Sequence, residues 1–224
     1  MRVQHFSAIL LSGLVSATPL ACRRGGATPS SAAPSASPMP GTGSGSGSDV
    51  DMAAAVLAIM PSSSSCSGAE FPAECRTAEQ AAPFIEKACA DLSPGECAAT
   101  VAVIGVESVE MKAKHNISPG RPGQGTANMM MPEFVSEYAT SLFGADKVAG
   151  KSPDEVLAMV TPDEHNFGSA AWFLTAKCTE DVRASLKTGT DAGWTAYNQD
   201  CIGVDGSLQE RMDYWTRAKE AFNL

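Results

Sequence analysis

The chain has 224 residues, 44% of them hydrophobic and 18% charged, with a formal net charge of −9 at pH 7. That apolar content can fill a core, while the acidity argues against nucleic acid or an anionic membrane surface as partner. Beyond the N-terminus no stretch approaches the roughly 20 apolar residues of a spanning helix, so a membrane is not expected either.

Met1-Arg2 precedes an apolar run through Phe6, Ile9, Leu10, Leu11, Leu14 and Val15 that ends in small residues at Ala17 and Ala21. This is the pattern of a secretory signal peptide, residues 1–21, and it predicts a secreted, extracellular product. Its removal takes Arg2 away and leaves a charge of −10. Residues 22–48 are rich in Ser, Pro, Gly and Ala, a composition that cannot bury enough apolar surface to fold, and read as a disordered linker or pro-segment. Arg23-Arg24 within it is a weak dibasic processing signal. Residues 49–224 have the size of one domain, expected to act as a monomer.

Of the seven cysteines, Cys22 lies at the expected cleavage site, leaving an even set suited to an oxidising compartment and three disulfides. Six cysteines allow 15 pairings. The expected set is Cys66 with Cys75, Cys89 with Cys97, and Cys178 with Cys201, the last joining two consecutive helices. No Cys-x-x-Cys or His-rich spacing suggests a metal, and neither metal nor cofactor is expected.

Strand signals are scarce and helix signals recur. Residues 49 to 60 are Ala-rich and apolar, and Thr77 with Gln80 forms a capping-box pattern, although Pro83 could interrupt the helix that follows. Ser93-Pro94 opens a segment expected to be helical as far as Lys114. Further helices are predicted over residues 132 to 143, 152 to 160, 167 to 177, 191 to 200 and 207 to 221. The fold class expected is all-α.

On the segment from Pro94, residues Ala99, Val103, Ile104, Glu107 and Met111 share one face at helical spacing, so Glu107 falls in an apolar stripe. Desolvation there raises a carboxyl pKa, as a general acid requires. The alternative is that the stripe ends near Ile104 and Glu107 is solvated, balanced by Lys112 or Lys114. Glu110 has Lys114 four residues on, the ordinary surface pair, whereas Met111 occupies that position relative to Glu107.

The loop after it holds Gly120, Gly123 and Gly125 with Pro119 and Pro122, an exposed and sharply turned backbone. It lacks the lysine and Ser/Thr of a phosphate-binding loop. Asn116-Ile117-Ser118 matches a glycosylation sequon, with Pro119 directly after it.

Glu107-Ser108, the glycine-rich turn, and Gly125-Thr126-Ala127-Asn128-Met129-Met130 resemble the lysozyme-like superfamily, in particular goose-type lysozymes and soluble lytic transglycosylases. Asn128-Met129-Met130 stands where that group has Leu-Met-Gln. The stretches Gln124 to Met129 and Gly168 to Leu174 are also similar to a group of secreted fungal proteins. The resemblance implies a lysozyme-like helical domain that binds a β-1,4-linked amino-sugar polymer (chitosan, chitin or peptidoglycan) across a cleft. Glu107 would protonate the glycosidic oxygen as general acid, and the substrate-binding residues it implies are Ser108, His115, Gln124, Gly125, Asn128, Met129, Tyr138, His165 and Asn166. A second carboxylate is normally required, with Glu133, Asp163 and Glu164 as candidates. The competing expectations are a non-catalytic secreted carbohydrate-binding or effector protein on the same fold, and a purely structural disulfide-stabilised one.

No Gly-x-Ser-x-Gly elbow is present, and Ser169 reads as a helix-packing residue. Trp172, Trp194 and Trp215 could stack on sugars but lie on apolar helical faces, where core packing is expected. Net charge favours cationic chitosan over anionic peptidoglycan, unless Lys112, Lys114 and Arg121 reverse the sign locally.

Overall fold

The computed structural model describes residues 50–224; the expected signal peptide and linker lie outside them. The described region is all-α and carries three disulfides, Cys66–Cys75, Cys89–Cys97 and Cys178–Cys201, the expected pairs.

Helix α1 (Met52–Ile59) starts on Asp51, whose carboxylate accepts from the Ala54 amide. α2 (Ala78–Cys89) begins with the capping box between Thr77 and Gln80, and it runs through Pro83 without a break. Pro83 costs the Glu79 carbonyl its helical partner, but Glu79 is exposed and water can take the vacant bond. α3 (Pro94–Glu107) carries a second capping box, Ser93 with Glu96, and is buried on every side from Gly95 to Gly105. An apolar helix without a polar face belongs in the middle of a domain. α11 (Gln209–Ala221), α8 (Ser169–Lys177), α9 (Glu180–Lys187) and α1 pack around it. At Gly105 an added Cβ would lie 2.7 Å from the Tyr214 ring of α11, so only glycine admits so close a crossing.

A smaller apolar cluster joins α4 (Pro132–Phe143), α6 (Pro153–Val160) and the outer face of α8 through Val135, Tyr138, Val156, Val160 and Phe173. Between these elements lie the short helices α5 (Ala145–Val148) and α7 (Asp163–Asn166). After α9, α10 (Asp191–Ala196) widens into a π-turn over Tyr197–Ile202. Trp194 and Trp215 stack within the core, rings 5.3 Å apart and nearly parallel, so packing rather than sugar binding uses them.

Three sequence expectations need correction. The helix from Pro94 ends at Glu107, not at Lys114: Ser108 Oγ accepts the Met111 amide at 2.7 Å, and Val109, Glu110 and Met111 turn left-handed, φ 52°, 56° and 63°. That turn is fastened to the segment before α2. The Glu110 carboxylate accepts from the Ser62 amide (2.6 Å) and the Tyr214 hydroxyl (3.2 Å), and Lys112 Nζ donates to the carbonyls of Ser62 (2.7 Å) and Ser65 (2.8 Å). The helix expected over residues 191 to 200 changes to π geometry at Tyr197. Finally α9, which was not expected, lies between Cys178 and Cys201, so their bridge does not join consecutive helices.

Candidate functional site

A cleft of about 660 Å³ opens beside the C-terminal end of α3, a volume in the usual range for ligand sites. One wall is the loop closed by the Cys66–Cys75 disulfide, including Glu70 and Phe71. Glu107, Val109 and Lys112 also line the cleft, as do His115, Asn116, Gln124 and Met129.

Glu107 reaches this cleft because α3 stops there, one residue before the buried Ser108 that closes its last turn. Its Oε1 is paired with Arg211 Nη2 of α11. Arg211 is buried and donates also to Asn198 Oδ1 at 3.0 Å, and Asn198 Nδ2 donates to Trp194 O at 2.9 Å. The π-turn thus holds the arginine that holds the glutamate. Guanidinium nitrogens only donate, so Oε1 is fixed as an acceptor and any proton on this carboxyl must sit on Oε2. Tyr197, fully buried beside the pair, has its phenol pushed far above the ordinary value by burial and by the Glu107 charge.

The glycine-rich loop is braced internally. Its backbone pairs His115 with Gly125 and Gly125 with Met130 in isolated bridges. An added Cβ at Gly125 would lie 2.6 Å from Leu157, so the close approach requires glycine. Gln124 Oε1 accepts from Asn116 Nδ2 at 2.7 Å and its Nε2 donates to Met129 O at 3.2 Å, so both halves of its amide serve the loop. His115 Nδ1 lies 2.8 Å from Glu74 Oε2, which also accepts the Lys114 amide at 2.9 Å; one ring nitrogen is committed and Nε2 is left.

The structure therefore gathers Glu107, His115, Gln124 and Met129 around one cleft. Other implied residues stand elsewhere. Ser108 and Gly125 are buried supports. Asn128 accepts from Thr126 Oγ1 (2.9 Å) and Ser169 Oγ (2.7 Å), tying the loop to α8, and it lines a small separate cavity. Tyr138 is buried against Trp172, and its hydroxyl donates to His165 O at 2.7 Å. Its phenol is pushed up to about 12 by burial. The His165 ring packs on Phe143, and Asn166 is buried with an unpartnered Oδ1. Tyr138, His165 and Asn166 do not line the cleft.

Nor do the proposed second carboxylates. Asp163 is held by Arg76 at 2.6 Å and by Lys114. Burial opposes its ionisation, but those two cations outweigh burial and bring its carboxyl below the ordinary range. Glu164 pairs with His165 and Glu133 is exposed on α4. Of the three cations named for the cleft, only Lys112 lines it, and its ammonium is directed at two carbonyls. Two features went unread in the sequence: Arg211, inside the helix predicted over residues 207 to 221, and Glu70, whose spacing carries no signal.

No family model matches the chain, and no solved structure does. A bifunctional dioxygenase–epoxy alcohol synthase of Fusarium oxysporum is 45% identical over 158 residues, which cover 65% of this chain and 12% of that protein. The chain thus corresponds to a small part of that relative's length.

Proposed function

We propose that the protein is a secreted, lysozyme-like glycosidase or lytic enzyme that cleaves a β-1,4-linked amino-sugar polymer, with Glu107 as the general acid. The observation that carries this reading is the position of Glu107: the end of the buried central helix, lining a cleft of about 660 Å³, with Oε1 fixed by Arg211. A carboxylic acid serves as proton donor when its orientation is set before the substrate arrives. Arg211 sets it, and Oε2 is left to carry the proton toward a glycosidic oxygen.

The same site selects among polymers by charge. Glu70 and Glu107 line the cleft beside Lys112, so its lining carries no excess of cationic side chains to oppose the overall −9. Chitosan, which is cationic, is then favoured over peptidoglycan, with an advantage that shrinks as salt screens it. The relative's name speaks of dioxygenase and epoxy alcohol synthase chemistry, and this chain matches 12% of it. A match of that extent assigns neither activity here.

A second reading, a carbohydrate-binding or effector protein without turnover, draws on the Glu107–Arg211 pair itself, since a salt bridge that never opens its proton to substrate is a structural brace. Initial rates on chitosan, chitin and peptidoglycan at low and high ionic strength separate the two. Cleavage of chitosan that slows with salt supports the enzyme, faster cleavage of peptidoglycan at low salt reverses the substrate preference, and binding without products supports the second reading.

A further inference from the structure

The cleft contains a carboxylate that no motif pointed to. Glu70 belongs to the loop closed by the Cys66–Cys75 disulfide and lines the same cleft as Glu107. Among the described residues no cation or hydrogen-bond donor of the protein engages its carboxylate. In this it differs from Glu107, held by Arg211, from Glu74, held by His115, and from Glu110, held by Ser62 and Tyr214.

Its backbone, by contrast, is fastened. The Cys66–Cys75 bridge closes the loop, the Ala69 amide donates to Cys66 O at 3.1 Å, and the Glu74 amide donates to Phe71 O at 3.0 Å. Lys112 Nζ, on the segment that leaves Glu107, donates to Ser65 O at 2.8 Å just before the loop. The two carboxylates thus stand on pieces of chain tied by one lysine. A free carboxylate on a fastened loop and an oriented one, lining the same cleft, are the two groups that glycosidic hydrolysis uses.

Resting on the glycosidase reading above, we propose that Glu70 is the second carboxylate of the reaction, the general base. Glu107 Oε2 gives its proton to the glycosidic oxygen as the C1–O bond breaks. A water oxygen bonds to C1 from the opposite side, and the proton it loses goes to Glu70. The hydrolysed sugar leaves with one new hydroxyl at each cut end, and proton exchange with solvent resets both carboxyls.

The test offers chitosan, glycol chitin and peptidoglycan to the wild-type chain and to Glu107→Gln, Glu70→Gln and Glu70→Ala. If the wild type cleaves none of them, the glycosidase reading fails and this assignment fails with it. If it cleaves one, Glu70→Gln is expected to lower kcat at least about 100-fold with KM changed less than about 3-fold, the pattern of a group acting in the transition state. Added azide or formate is expected to restore part of the Glu70→Ala rate, since a small anion fills the vacated position. Because Glu70 is exposed, an unchanged melting temperature is expected in both variants. An active wild type whose Glu70→Gln variant keeps full kcat, or only raises KM, would overturn the assignment and leave the role of Glu107 standing.

Discussion

Helix α3 carries a glutamate near each end, and each is paired with an arginine from a later helix: Glu96 with Arg183 of α9 at 2.8 Å, and Glu107 with Arg211 of α11. The two pairs are not equivalent. Glu96 sits in the first turn, where the helix dipole favours an anion, and both of its oxygens are used: Oε2 accepts from the Ser93 amide (3.0 Å) and hydroxyl (2.8 Å), and Oε1 from Arg183. It is 1% exposed and closes the helix start. Glu107 is the last residue of the same helix, where the dipole disfavours its charge, and it keeps one oxygen toward a cleft. A buried carboxylate whose partners are all supplied by the protein acts as a fastener; one placed against the dipole with an uncommitted oxygen is the one we propose for chemistry.

The sharpest way to break this contrast is Glu107→Gln. The amide oxygen can still accept from Arg211, so folding stability should change by less than about 1 kcal/mol, while any glycan turnover falls about 10²- to 10⁴-fold. Rates measured alongside urea unfolding check both halves, and full activity in the variant would remove Glu107 from the mechanism.

Glu96→Ala should do the reverse, costing about 4 kcal/mol of stability because it strands Arg183 and opens the helix start. The same residue gives a pH signature. Burial opposes ionisation of Glu96, but the Ser93 hydrogen bonds and Arg183 together outweigh it, so its folded pKa lies below the ordinary 4.5. A depressed carboxyl contributes stability that is complete above the unfolded value and is lost as pH falls from there through the folded one. Unfolding midpoints of wild type and Glu96→Gln should therefore converge below about pH 4.5; a gap that persists into strong acid would refute the assignment.

Replacing Cys178 and Cys201 together by alanine removes a bridge with a sequence separation of 23, worth about 3 kcal/mol on chain-entropy grounds. Since Cys201 belongs to the π-turn that supplies Asn198 to Arg211, any glycan turnover should fall at temperatures where the variant is still folded. The smallest effect expected is at Val109, exposed and left-handed at φ 52° directly after the helix. A β-branched residue is strained there, so Val109→Gly should be neutral or stabilise by about 1 kcal/mol, against the usual cost of glycine. A loss of more than 1 kcal/mol by thermal unfolding would show that the turn draws its stability from the valine side chain.

Local chemistry decided much of this molecule in advance. The three capping boxes at Thr77, Ser93 and Ser152, the prolines that open α3, α4 and α6, and the helix-wide apolar content of α3 are short-range signals, and each helix starts where they stand. The three disulfides were legible because an even set of cysteines pairs in consecutive order along the chain. Where a helix ends was another matter. α3 stops at Glu107 because Glu110 and Lys112 are captured by Ser62 and Ser65, some fifty residues earlier in the chain, and no helical spacing encodes such a partner. The same holds for the site. Sequence placed Glu107 beside a glycine-rich loop, but the arginine that orients it lies 104 residues on. Tyr138 follows the loop in sequence and His165 and Asn166 precede the Gly168 stretch, yet none of them lines the cleft, while Glu70 joins its lining from a disulfide loop. Helix starts depend on neighbours within a turn and are written locally; helix ends and cleft walls depend on which distant groups satisfy them, and only the packed chain brings those groups into reach.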